Sequence, residues 1–224
     1  MKSDEKLHNM KLVGQTTSYG GRFRHINILG EAEIMGDTEC DSLKCTGTAS
    51  FDGNLAAQQA KVTGEYRVRG SMHSRVMKVT GSVITDHHLK AESVHLTGML
   101  SVKGSCEAGN IQLKGGLEVD GLLSADRLDF RLLGASRAGE IGGGAITVKR
   151  SKLARLKSMF QSSGPAVLTA ETIEGDELHL DHITAGAVRG NRVHIGAGCR
   201  IERLEYRQYA VIHRLAVVKE QVRL

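Results

Sequence analysis

The sequence of 224 residues predicts an all-β fold, a three-sided β-solenoid with 17-residue coils. Three observations predict this fold. Glycine recurs at a fixed interval, apolar residues fall in pairs two positions apart, and proline and aromatic residues are scarce. The chain has 27 glycines, one proline and an aromatic fraction of 4%. A globular enzyme of this length would usually fill its core with more aromatic side chains.

Glycine occupies the same place in six consecutive 17-residue segments. These glycines are Gly30, Gly47, Gly64, Gly81, Gly98 and Gly115. A second glycine follows six residues later in each segment except the fourth, where His87 takes its place. Because glycine tolerates positive φ and close backbone contact, we predict that these positions are the corners between short strands.

The apolar residues between the glycines occupy three pairs of positions in each segment, at +2/+4, +8/+10 and +13/+15 from the first glycine. In the segment that starts at Gly47 they are Ala49 and Phe51, Leu55 and Ala57, and Ala60 and Val62. A spacing of two is the side-chain period of a β-strand, so each segment should form one coil with three strands. Coils would stack about 4.8 Å apart, and about seven of them make a rod roughly 34 Å long.

The repeat divides the chain into four predicted regions: an N-terminal tail (1–13), the rod (14–148), a basic amphipathic helix or linker (149–165) and a β-rich C-terminal extension (166–224). The glycine spacing fails after residue 131, which predicts a final, looser coil over 132–148. In the C-terminal region apolar residues recur every five positions. That spacing indicates either further coils or a sheet packed on the rod.

The first coil has polar residues at two core positions, Thr16 and Ser18, whereas Ile26 and Ile28 complete its last strand pair. Repeat proteins usually carry atypical, polar capping units at their ends. We therefore predict that these four residues form an end-stacking turn, at which the rod meets another copy of the chain.

A basic segment follows the rod. The net charge of +5 lies entirely in residues 149–224, which hold 13 Lys and Arg against 8 Asp and Glu. Its basic residues begin with Lys149, Arg150, Lys152, Arg155 and Lys157, and the apolar residues that would share one helical face are Leu153, Leu156 and Phe160. A basic amphipathic helix suits an anionic membrane surface or a protein partner. The alternative is a helix that covers the side or end of the rod.

No motif for catalysis, a cofactor or a nucleotide is present. The chain lacks a P-loop, a GxGxxG sequence and the motifs of hydrolases and zinc proteases. Cys40 and Cys45 fall on inward positions, where cysteine acts as a small apolar residue. The pairs His87/His88 and His179/His182 have no companion ligands at metal-site spacing. We expect no metal and no catalytic residues, and the few aromatics argue against specific nucleic-acid binding.

The cysteines and the polar first residues, which have no apolar run typical of a secretory signal, favour a cytoplasmic location. The basic segment allows an association with the membrane in addition.

On these residues the sequence resembles the bactofilins, polymer-forming proteins of the bacterial cytoskeleton. The copies that carry the resemblance are GTASFDGNLAAQQAKVT (47–63) and GMLSVKGSCEAGNIQLK (98–114), and it extends over about 14–148. The resemblance implies a right-handed β-helix that polymerises end to end without nucleotide. It also implies scaffolding in cell shape, motility or envelope assembly, with the chain itself and envelope or motility proteins as partners.

Two departures from the bactofilins concern the ends of the chain. Bactofilins usually carry short, Pro-rich tails, whereas the C-terminal extension here is patterned like ordered structure and the chain has one proline. Many bactofilins bind membrane through an apolar N-terminal peptide, and the sequence MKSDEKLHNMKL is more polar than such a peptide.

Two alternative functions remain open. Left-handed β-helix acyltransferases also have three faces, but their coils have a period of 18 built from hexapeptides, whereas the period here is 17 and the core pairs do not fit a uniform spacing of six. A membrane-surface adaptor that acts through residues 149–157 is the second alternative.

We predict that Val79→Asp unfolds the rod. Val79 holds the +15 position of its coil, and a carboxylate there would lie between apolar neighbours above and below. Burial of an unpaired polar group at such a position should lower the free energy of unfolding by about 3 kcal/mol or more. Thermal unfolding followed by circular dichroism measures this effect, and an unchanged melting curve would contradict the inward assignment.

Overall fold

The computed structural model describes residues 7–151 and 166–224, and there the chain forms β-strands joined by turns. The strands are β1 (His8–Phe51), β2 (Leu55–Val68), β3 (Met72–Thr85), β4 (Leu89–Val102), β5 (Cys106–Leu132), β6 (Ser136–Arg150), β7 (Leu168–Leu180), β8 (Ile183–Ile195), β9 (Arg200–Ile212) and β10 (Val217–Arg223). Each strand pairs in parallel with the next along the chain. The predicted fold class is confirmed, as a solenoid of about ten turns.

The first half of the solenoid keeps the register that the glycine spacing predicts. Gly47 lies opposite Gly64, and Leu55 lies opposite Met72, which in turn lies opposite Leu89. All residues at the six predicted inward positions, from Ala32 to Phe130, are buried. The core is therefore a set of columns in which each side chain packs on its equivalent in the next coil.

One row of glycine corners places backbone directly against backbone. Gly81 has a φ of +133°, and a Cβ built on it would lie 1.9 Å from the carbonyl oxygen of Gly64. The corresponding distance from Gly98 to the Gly81 oxygen is 1.8 Å. Any other residue would have to push two coils apart, in a backbone conformation that L-residues rarely adopt. These glycines are thus required by the spacing of the coils.

Side chains at the second corner satisfy backbone groups of the next coil. Asp37 Oδ1 accepts a hydrogen bond from the Asn54 N–H at 2.8 Å, and Asn54 Oδ1 accepts one from the Ser71 N–H at 2.9 Å. His88 continues the series, because its Nδ1 accepts from the Ser105 N–H at 3.1 Å. Because turns leave backbone donors outside the strand ladder, these side chains take the place of strand partners.

The solenoid continues beyond residue 148, where the sequence predicted the rod to end. Strand β7 pairs with β6 at an offset of 32, and β8 pairs with β7 at an offset of 15. Of the two interpretations of the C-terminal region, further coils is therefore the correct one. The predicted tail also ends earlier than expected, because β1 begins at His8 and Leu12 is buried.

The C-terminal coils are shorter because their corners are shorter. In the first coils, three residues separate Phe51 from Leu55 at a corner, whereas two residues separate Ala170 from Ile173. The same loss occurs at the corner between Leu180 and Ile183. Two such losses reduce the offset between paired residues of neighbouring coils from 17 to 15. Each of the three sides of a coil then has five positions. This explains the five-residue spacing in the sequence.

The offset of 32 between β6 and β7 is about two coils long. The chain therefore carries an insertion at the corner between Arg150 and Leu168, and residues 152–165 of it lie outside the described residues.

We expect Gly81→Ala to destabilise the rod strongly. The positive φ alone imposes strain of about 1–3 kcal/mol, and the clash with the Gly64 carbonyl adds to it, so the free energy of unfolding should fall by about 3 kcal/mol or more. Gly134→Ala is the matched control, because a Cβ there meets no atom within 4 Å and φ is not positive. Chemical denaturation of both variants measures the difference, and equal losses would contradict the steric argument.

Candidate functional site

The C-terminal end of the rod exposes apolar core columns. Strand β10 is the last of the sheet and pairs with β9, so its other edge has no partner strand in the described part of the chain. The inward side chains of this last coil are only partly buried: Tyr206, Ala210, Ile212, Ala216 and Val218. Leu215 and Val217 beside them are 64% and 56% exposed. This end therefore presents both apolar surface and unpaired strand backbone.

The N-terminal coil separates the four residues predicted to form an end-stacking turn. Thr16 and Ser18 are half-buried, and Thr16 Oγ1 donates a hydrogen bond to the Val13 carbonyl at 3.3 Å. Ile26 and Ile28 are each 1% exposed, so they belong to the core. The sequence analysis missed Tyr19, which is 78% exposed in this coil. An aromatic residue among polar neighbours was the signal available in the sequence.

The predicted basic patch at 149–160 is divided by the structure. Lys149 and Arg150 belong to strand β6, where they pair with Arg131 and Leu132 of β5. The prediction of a helix that starts at Lys149 is therefore wrong, because the coil is not yet complete at that residue. The other members of the patch lie outside the described residues: Lys152, Leu153, Arg155, Leu156, Lys157 and Phe160.

At the corner between Phe51 and Leu55 and at its equivalents in the next coils, stacked charges alternate in sign. Arg69 pairs with Asp52 at 2.5 Å, Lys103 pairs with Asp86 at 2.8 Å, and Arg137 pairs with Asp120 at 2.5 Å. A hydrogen bond from Lys103 is the main reason that the pKa of Asp86 lies below its ordinary value, and Arg67 adds to the effect. Alternation makes every vertical neighbour an opposite charge, so this column is close to neutral.

One face of the rod stacks charges of one sign. Lys44 lies opposite Lys61, Lys61 lies opposite Lys78, and Lys78 lies opposite His95. All three lysines are exposed, and none forms an ion pair within the described residues. Two positions further along each coil, the basic series continues with Lys114, Arg131 and Lys149. We call these seven residues the lysine track.

A shallow groove of about 460 Å³ runs along the middle of the lysine track. It is lined by Lys61, Lys78, His95, Lys114 and Arg131, with hydroxyls from Thr63, Thr80 and Thr97. Among the described lining residues Asp129 is the single carboxylate, and it accepts a hydrogen bond from Arg131 Nε at 3.0 Å. A count of charge by region does not reveal the track, because residues 1–148 hold 17 basic and 17 acidic residues. The available signal was lysine at the +14 position of three successive coils.

The structure pairs two histidines that are not one of the candidate pairs His87/His88 and His179/His182. His179 stacks on His194, its partner in the adjacent strand, with ring centroids 4.5 Å apart and an interplanar angle of 7°. Tyr209 packs edge-on against His194 at 5.5 Å. Desolvation, followed by the charges of His194 and Lys149, lowers the pKa of His179 below its ordinary value, against the opposing effect of Glu177 and Asp181.

The four cysteines are buried and free. Burial raises the pKa of Cys40 and of Cys106 to about 12, and that of Cys45 to about 11. A thiol that stays protonated is a poor nucleophile and a poor metal ligand. Among the described residues, His, Cys, Asp and Glu form no group of three or more that could hold a metal ion. Within the same ranges, no helix is long and apolar enough to cross a bilayer.

The fold and these surfaces define a parallel β-solenoid whose described strands end in an unpaired coil edge. The chain belongs to the family of YhbE and YhbF, two proteins of Bacillus subtilis (strain 168) that are described as uncharacterized. It is 51% identical to YhbE over an alignment 220 positions long, which covers 89% of this chain and 91% of YhbE. It is 48% identical to YhbF over an alignment 237 positions long, which covers 98% of each chain. No protein-family model and no solved structure matches the chain.

We predict that His179 makes the rod less stable in mild acid. Its folded-state pKa is lowered, so the unfolded chain takes up a proton first as the pH falls. Stability is therefore complete above the ordinary histidine pKa of about 6.5 and is lost as the pH falls from that value toward the lowered pKa. His179→Gln should reduce the drop in Tm between about pH 7.5 and about pH 5.5 by roughly 2 °C.

Differential scanning calorimetry at the two pH values measures this change. His73→Gln is the control, because His73 is exposed on a different face of the rod. An equal reduction in both variants would remove the histidine stack from the explanation.

Proposed function

We propose that this protein is a structural, non-enzymatic scaffold that self-assembles end to end into filaments without nucleotide. The observation that supports this proposal most directly is the C-terminal coil, whose inward apolar side chains stop at a surface that the described strands leave open. A second rod stacked on this coil would extend both the core columns and the strand ladder. The same two interactions hold consecutive coils together within the chain.

The chemistry of such an end favours stacking. Each terminal coil has three strand edges with unpaired N–H and C=O groups, which are a template for strands of another chain. Partly buried residues such as Ile212 and Val218 would lose their remaining contact with water. If like ends meet, each contact is isologous and the filament is non-polar, and if unlike ends meet, the filament is polar.

The resemblance to the bactofilins supports the same proposal. It suggests a cytoplasmic filament that organises envelope, cell-shape or motility proteins. Attachment to an anionic membrane surface through the basic segment 149–157 would add to this role. A scaffold also needs no catalytic constellation, which agrees with the filled interior of the described coils.

We expect Val218→Lys to abolish filaments and Val217→Lys to leave them intact. The two valines are neighbours on β10, but Val218 follows the inward column of buried Ile201, whereas Val217 is paired with exposed Arg200 and is itself exposed. A lysine at the open end can extend its amine into water in the single rod, but it would be buried without a partner between two stacked rods.

Negative-stain electron microscopy of the purified chain without nucleotide measures assembly, and circular dichroism confirms that both variants fold. Wild-type protein that stays monomeric, or assembly that strictly requires ATP or GTP, would overturn the proposal. Discrete trimers would direct attention to the acyltransferase alternative. Filaments of Val218→Lys that match the wild type would show that the C-terminal end is not the contact.

A further inference from the structure

The lysine track departs from the way in which the rest of the rod handles charge. Like charges directly opposite on neighbouring strands destabilise a sheet, and the corner column with Asp52, Arg69 and Asp86 avoids stacked like charges by alternation. Lys44, Lys61 and Lys78 stack three ammonium groups with no carboxylate partner among the described residues. An anionic ligand along this column would supply the missing counter-charge.

The shape of the track restricts the ligand to a narrow one. The basic positions from Lys44 to Lys149 follow one face through six coil-to-coil steps, a length of about 29 Å at strand spacing. The groove along their centre is shallow and is flanked by the hydroxyls of Thr63 and Thr80. The corner that borders the same face carries mixed charge three positions before members of the column, with Asp41, Arg75 and Glu92. The stacked lysines without carboxylate partners thus form a line along the rod axis.

The residue types on the track fit one class of polyanion better than the others. A bilayer is a broad anionic plane, so it would meet the bordering carboxylates as well, and the described lining of the groove offers no exposed apolar side chain for insertion. Single-stranded nucleic acid is usually held by aromatic side chains on which bases stack, and no Phe, Tyr or Trp is among the described residues that line the groove. Amines and hydroxyls in a row match a chain of phosphates that has no bases.

We infer that the lysine track binds a linear polyphosphate chain along the axis of the rod. The amines of the track contact successive phosphate oxygens, and the threonine hydroxyls donate hydrogen bonds between them. This inference is independent of filament assembly, because the whole track lies within one chain.

The test uses the full chain and end-labelled, long-chain inorganic polyphosphate, with binding followed by fluorescence anisotropy. The variant K44Q/K61Q/K78Q should bind at least about tenfold more weakly. The slope of log K against log salt should become shallower by about 2, since three phosphate contacts are lost. Thermal unfolding checks the fold, and Tm should not fall, because the variant removes like-charge neighbours.

The matched control is K90Q/R137Q/R200Q, which removes the same charge from three exposed residues on the other two faces. It should retain binding within about twofold. Equal losses in both triple variants, or no binding by the wild type, would overturn the inference. So would single-stranded DNA of equal charge that binds as tightly through the same lysines. Binding of phosphatidylglycerol vesicles without binding of polyphosphate would assign the face to a membrane instead.

Discussion

Backbone contact at the glycine corners fixes how the coils of this rod stack on one another. At Gly64, Gly81 and Gly98 the main chain of one coil lies so close to the next that no Cβ fits between them. The strands on either side of each corner can pair only while this contact is kept, because a wider corner would separate their N–H and C=O groups. The corner therefore sets the register of the coils, and the register decides which side chains meet.

Like-on-like stacking has opposite consequences inside and outside the rod. Inside, it places apolar residues of similar size on one another, as in the column of Leu55, Met72 and Leu89, which is favourable along its whole length. Outside, it would place equal charges together. The corner column through Asp86 and Lys103 avoids this by alternating the sign, whereas the lysine track does not.

In the shorter C-terminal coils, the strands still pair in parallel with those of the next coil. The row of corner glycines with positive φ does not continue into these coils. His182 has a φ of 55° at a short corner, and Gly143, Gly175 and Gly190 fill the inward column that alanine holds in earlier coils. Strands β6 and β7 pair in parallel although an insertion separates them in the sequence, at the corner after Arg150. A repeat protein can absorb such changes because each coil contacts its neighbours alone.

The sequence by itself determined the strand pairs, the inward columns and the glycine corners of the first six coils, because each of these is expressed at one fixed spacing. It could not determine which side chains meet where neighbouring coils differ in length. His179 meets His194 at an offset of 15, and Lys149 lies beside Arg131 at an offset of 18, where the sequence pattern indicated a helix. The lysine track likewise exists only across coils. Tertiary structure decided these features because coil length, and not distance along the chain, selects the neighbours of every side chain.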